Sequence, residues 1–292
     1  MGTFGGHALP GTFFVIYALF LTICACLKFQ QSSKRGTRFK SFASFYFPYG
    51  KLQRFPLEGL LKVLLTTVAL SIEIFTGFDN GKFVFMGNAQ HATMFAYFGF
   101  NGVIDLLQHF KAPLPRDTEY VTLAMAFMVE GLLFKFHLHG RTQLDILVHT
   151  LLLYVVYACI ISVIVEMKYR RSILSPLARA YFLLIQGTWF WQVGFILYNP
   201  SPNAIKWNEE EHGELTLATI LFAWHALADF IILLVTAVTI HVCCRRGNGI
   251  AENDVGLKRL LHSGSNDQSA VCVQSDSGSD LEFEQPTVGV NR

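Results

Sequence analysis

Ten histidines are spread over 292 residues, and several stand at spacings that bring carboxylates to them. Asp145 and His149 are i,i+4, as are His225 and Asp229, so each pair shares a helix face. Glu130 and His137 lie two helical turns apart and also share one. Imidazole nitrogens and carboxylate oxygens are ligands that zinc accepts. An open position on such a zinc would activate water against a lipid ester or amide. The same groups could instead form a proton or ion path, because histidine titrates near neutrality. A third use is a hydrogen-bond network that only fixes helix packing. The tight HExxH spacing that would single out the first reading is absent, so all three stay open at this level.

The elements that must position these residues are transmembrane helices. The chain is 52% hydrophobic and 15% charged, against about a quarter charged in a soluble domain. Seven apolar runs reach bilayer length, at roughly 10–28, 57–77, 89–109, 118–138, 143–166, 176–198 and 215–243. They are long and continuous, unlike the short alternating segments of a barrel, and a helix satisfies its own backbone in lipid. The second run carries Glu58, Lys62 and Glu73 and should face protein rather than lipid. The expected fold is therefore all-α: a seven-transmembrane helical bundle over residues 1–246, then a disordered acidic and Ser-rich cytosolic tail over 247–292. A net charge of +2 and the lack of a basic stripe with interleaved aromatics set nucleic acid aside. The expected partner is the lipid bilayer, with a protein partner for the tail as a further expectation.

Orientation follows from lysine and arginine. Lys28, Lys34, Arg35, Arg38, Lys40, Lys51 and Arg54 follow the first run, Lys111 and Arg116 the third, and Lys168, Arg170 and Arg171 the fifth. Arg245 and Arg246 follow the seventh. The other side has Lys82, Arg141 and Lys206, with Glu209, Glu210, Glu211 and Glu214 before the last run. The positive-inside rule places the N-terminus lumenal or extracellular and the tail in the cytosol, and span length, which tolerates tilt, leaves Golgi, endolysosomal and plasma membranes all open. With no basic segment ahead of it and no cleavage-like site at Gly6–Gly11, the first run is expected to be a retained anchor.

Depth then sorts the polar residues. His7, His91, His137, His139, Asp145, His149 and His225 all fall in the outer half or at its surface, His225 roughly 15 Å down its span. Glu130, Gln186 and Asp229 complete a candidate lumen-facing cluster, with His149, His225 and Asp145 as the candidate zinc set. Trp189, Trp191, Trp207 and Trp224 read as interface or packing residues. Asp105 lies about 21 Å deeper than His91 and is expected to pair with Lys62 or Lys111. Cys24, Cys26, Cys159, Cys243 and Cys244 fall in the cytosolic half, so no structural disulfide is expected. Cys243-Cys244 beside Arg245-Arg246 has the setting of a palmitoylation site, or of two small residues closing a helix. Ser275, Ser277 and Ser279 sit among acidic residues, which suits phosphorylation by an acidophilic kinase or a plain solvated tail.

Several stretches carry a resemblance. Gly6-His7-Ala8-Leu9-Pro10-Gly11, Gln90-His91-Ala92-Thr93-Met94, Val129-Glu130-Gly131 and His137-Leu138-His139-Gly140-Arg141 are similar to segments of the transmembrane protein 45 family. So are Leu144-Asp145, His149, Leu151–Tyr154, Gln186–Phe195 and Trp224-His225, in order, over about residues 1–245. Phe95 and Ala223 depart from it, standing where a hydroxylated aromatic and a cysteine are often found. The resemblance implies a multi-pass protein of internal membranes, Golgi, endosome and lysosome, with no established activity. Function is left between a structural or partner-binding role, a zinc-dependent hydrolase or lipid-modifying enzyme, and a proton or ion transporter.

Overall fold

The computed structural model describes residues 3–47, 50, 54–136, 138, 140–204 and 206–264. Among these residues there are seven helices: α1 (Phe4–Lys34), α2 (Leu57–Thr76), α3 (Met86–His109), α4 (Thr118–Phe136), α5 (Gln143–Lys168), α6 (Leu174–Tyr198) and α7 (His212–Gly264). The chain forms two compact units, 1–244 and 245–292. Helix α7 is described to Gly264, and residues 265–292 of the expected tail lie outside the described residues.

Local chemistry sets the helix ends. The hydroxyl of Thr3 caps α1 by accepting from the Gly6 amide at 3.0 Å. Pro176 stands in the first turn of α6, where its missing N–H costs nothing. Between α2 and α3 runs a hairpin, β1 (Phe78–Asp79) and β2 (Lys82–Phe83), turned by Asn80-Gly81 with φ of 50° and 77°. Two positive φ values in a two-residue loop define the type I′ turn that Asn-Gly favours.

In unit 1–244, α1 packs on α6, α6 on α5, α5 on α4, α4 on α3 and α3 on α2. A hydrogen bond from the Tyr17 hydroxyl to Glu58 links α1 back to α2 at 2.7 Å. The α1–α6 seam depends on small residues at heptad spacing, Gly11, Ala18 and Ala25 against Ala180, Gly187 and Gly194, all buried. A Cβ on Gly187 would lie 2.7 Å from the Val15 amide nitrogen and 2.8 Å from the Gly11 carbonyl. Backbones that close allow dense packing where lipid supplies no hydrophobic drive for helix association.

The burial pattern is inverted relative to a soluble protein. Leu64, Val68, Ile72 and Phe75 of α2, and Leu227, Phe230, Leu234 and Val238 of α7, are exposed. Arg179, Glu166, Gln186 and Asn101 have no exposed surface. An apolar exterior of this extent suits lipid.

Seven spans were expected, yet five helices are long and apolar enough by length and composition, among the described residues: α1, α2, α5, α6 and the 212–246 stretch of α7. Helix α4 falls short because Glu119, Glu130 and Lys135 crowd its 19 residues. Helix α3 is diluted by Asn88, Gln90, His91, Asn101 and Asp105.

Gly187→Leu should separate α1 from α6, because the obstruction is backbone that no rotamer change relieves. We expect a loss of about 1–3 kcal/mol or more, read as a lower melting temperature in detergent. Gly5→Leu, with nothing within 4 Å of its Cβ, should leave it unchanged.

Candidate functional site

The polar interior forms two layers. The distal layer lies where α1 ends and α6 begins; the amino layer lies where α1 begins and α6 ends.

Arg179 is the centre of the distal layer. Its Nε lies 2.6 Å from Glu166 Oε2, and the guanidinium donates to the carbonyls of Ala43 at 2.8 Å and Phe42 at 3.1 Å. It also donates to the Tyr17 hydroxyl at 3.3 Å. Glu166 in turn accepts from the hydroxyls of Ser41 and Tyr120. The network runs on through Tyr17 to Glu58, which pairs with Lys62 at 2.7 Å. Lys62 reaches Asp105 at 2.8 Å and Asn101 at 3.1 Å, and Asn101 donates to Thr122 and the Glu119 carbonyl. Arg170 closes the far side on Asp117 at 2.5 Å and stacks over Tyr120.

The segment after α1 is drawn into this layer. Phe39, Ser41, Ala43 and Phe45 are buried, and the Phe45 amide donates to Glu58 Oε2 at 2.7 Å. A narrow cleft lined by Ser44, Phe45, Tyr46, Pro56, Glu58, Gly59 and Asp105 enters beside it.

The amino layer holds the histidines, and it is not one cluster. His7 and His149 face each other with Nε2 atoms 3.4 Å apart. Asp145 holds His149 from behind at 2.8 Å, and Arg141 holds Asp145 at 2.7 Å. Glu130 accepts from Gln186 at 2.7 Å, and the Cys159 thiol donates to the other end of Gln186. Glu130 Oε2 is buried and has no partner among the described residues. Trp189 donates to the Val148 carbonyl at 2.9 Å, which ties α6 to α5. On the α6–α7 seam Thr188 donates to Asp229 at 2.7 Å, and His225 meets Gln192 at 3.4 Å. His91 pairs with Glu73 at 3.2 Å across α3 and α2.

The candidate site is thus partly corrected. The zinc set His149, His225 and Asp145 is not assembled, since His225 sits on the α6–α7 seam against the edge of Trp189. Among the described residues no three His, Cys, Asp or Glu side chains converge as metal ligands. His225 and Asp229 share a face, as their spacing required, but each bonds to α6 rather than to the other. His137 and His139 lie outside the described residues, as do Ser275, Ser277 and Ser279. Asp105 takes Lys62 as its partner. Cys243 is exposed and Cys244 half-buried at the end of unit 1–244.

Arg179 and Glu166 went unremarked in the sequence, although both fall inside apolar runs and are opposite in charge. An arginine within a span is rare enough to announce a partner.

A bundle with an apolar exterior and paired charges inside defines an all-α integral membrane protein. Residues 116–238 match the model of a family described only as a family of unknown function, DUF716. The chain is 26% identical over 197 residues to transmembrane epididymal protein 1 of Homo sapiens, covering 63% of this chain and 71% of that protein. It is 24% identical over 248 residues to transmembrane epididymal protein 1A of Mus musculus, covering 80% and 79%. Against transmembrane epididymal protein 1 of Rattus norvegicus it is 22% identical over 249 residues, with the same coverage. The matched segment 116–238 carries Glu130, Asp145, His149, Glu166, Arg179, Gln186 and His225. The relatives are transmembrane proteins in name, and the family model assigns no activity.

Breaking a buried ion pair from one side strands the other charge, at about 3–5 kcal/mol. Arg179→Met and Glu166→Leu should each lower the melting temperature strongly. The double variant should be less damaged than the sum, by about 1 kcal/mol or more. Strictly additive losses would show that the two side chains do not act as a pair.

Proposed function

We propose that this chain is a seven-span protein of Golgi and endolysosomal membranes with a structural, regulatory or partner-binding role, its N-terminus lumenal and its tail cytosolic. The observation that carries it is the mutual pairing of Glu58, Lys62 and Asp105, the main ionisable groups an ion path would need in the distal half. Their charges are spent on one another, and Arg179 and Glu166 are spent likewise. A transporter needs groups that alternate between partners, so this closed arrangement argues for a static bundle.

Packing supports counting α3 and α4 as spans, because their polar residues turn to neighbouring helices. Asp105 and Asn101 of α3 meet Lys62, Glu119 and Thr122, and Glu130 of α4 meets Gln186. The basic connections support the orientation. The compartment rests on the resemblance to the transmembrane protein 45 family. The tail beyond residue 246 is the part offered to a protein partner.

Two measurements test this reading. An Asn-x-Thr acceptor on an extended insert in the 199–211 connection should be glycosylated, and one in 110–117 should not. The reverse pattern would overturn the orientation. In proteoliposomes at an imposed pH gradient the chain should pass no more protons than empty vesicles do. A flux abolished by Asp105→Asn would establish a transporter instead.

A further inference from the structure

The His7–His149 contact has a donor problem. His7 Nδ1 lies 3.0 Å from the Thr3 carbonyl oxygen. His149 Nδ1 lies 2.9 Å from the Asp145 carbonyl oxygen and 2.8 Å from Asp145 Oδ1. Carbonyl oxygens only accept, so each Nδ1 must carry the ring proton. That leaves a lone pair on each Nε2, and these two atoms face each other at 3.4 Å inside the bundle. The rings are held edge to face at 71°, and both side chains are almost wholly buried. Two buried lone pairs aimed at one point repel unless something positive lies between them.

The separation discriminates between the two cations that could sit there. A shared proton draws a donor and acceptor to about 2.7–3.2 Å. Two imidazole nitrogens each about 2.0–2.1 Å from a tetrahedral metal stand about 3.3–3.4 Å apart. At 3.4 Å the contact is long for a shared proton and equals the span across a metal.

The surroundings fit as well. A metal-bound histidine nearly always donates its other N–H to a carbonyl or carboxylate, which fixes the tautomer and the ring orientation. Both rings do so here, and the Arg141–Asp145 ion pair at 2.7 Å anchors one of those acceptors. The two ligands arrive from different helices, α1 and α5, which do not pack directly as principal neighbours; α6 separates them elsewhere in the bundle.

We propose that His7 and His149 are ligands of a divalent transition metal of the zinc class, bound between their Nε2 atoms, with Asp145 as a positioning residue. Among the described residues no third side-chain donor joins them, so water or a small anion completes the coordination. The site goes beyond the proposed structural role and does not depend on it.

The test uses the full-length chain in detergent, stripped with a chelator and titrated calorimetrically with zinc chloride. One equivalent should bind. His7→Ala and His149→Ala should each weaken it at least tenfold, Asp145→Asn about 10–100-fold, and His225→Ala not at all. Should the alanine variants fail to fold, X-ray absorption on the zinc-loaded wild type decides, with two nitrogen ligands expected at about 2.0–2.1 Å. Folded wild type that binds no zinc overturns the proposal, and the pair then holds a proton only. Binding that persists unchanged without His7 and His149, or a zinc spectrum without two nitrogens, overturns it too.

Discussion

A guanidinium with no exposed surface sits where α6 begins, and the distal half of the bundle is arranged around it. Removing an ion from water costs several kcal/mol even after relaxation, so Arg179 is tolerable only while its donors are met. Glu166 meets one side, and two main-chain carbonyls of the segment after α1 meet the other. That demand explains why a polar connection is buried at the helix ends instead of lying over them. It also explains the reach of the network, because Tyr17 passes from Arg179 to Glu58, and Glu58 passes to Lys62 and Asp105. One arginine thereby ties α1, α2, α3, α5 and α6 together.

The two polar layers differ in kind. In the distal layer nearly every charge has an opposite charge beside it. Among the described residues each layer keeps a buried carboxylate oxygen without a hydrogen-bond partner, Asp105 Oδ1 in the distal one and Glu130 Oε2 in the amino one, but in the amino layer the His7 and His149 rings also face each other through their Nε2 atoms. Paired charges hold helices in register, whereas two facing ring nitrogens that both lack a proton can bind something. The structural role proposed for the bundle rests on the first layer, and the metal on the second.

Much of the architecture was legible in composition and periodicity. The helix count followed from apolar runs, and the Asp145–His149 contact followed from i,i+4 spacing. The pairing of His7 with His149 was not legible, because it joins residues far apart in sequence through the packing of α1 against α6 and α6 against α5. Depth alone grouped His225 with them, but depth says nothing about which side of α6 a residue occupies. Length and composition single out five spans and not seven for a related reason. The polar residues of α3 and α4 lower their hydropathy below that of their neighbours, yet the bundle supplies those residues with partners. The segment 39–47 was read only as part of a basic connection, since the lysines and arginines around it hid the alternating burial of Phe39, Ser41, Ala43 and Phe45.

The central claim is that buried charge locks the segment after α1 into the bundle. The Ser41 amide donates to the Arg170 carbonyl at 2.7 Å and the Phe45 amide to Glu58. Hydrogen exchange of residues 39–47 in the detergent-solubilised chain measures that lock directly. Protection of Ser41 and Phe45 comparable to the helix interiors, lost in Arg179→Met, is the predicted result. Exchange in the wild type as fast as in an unstructured loop would contradict it.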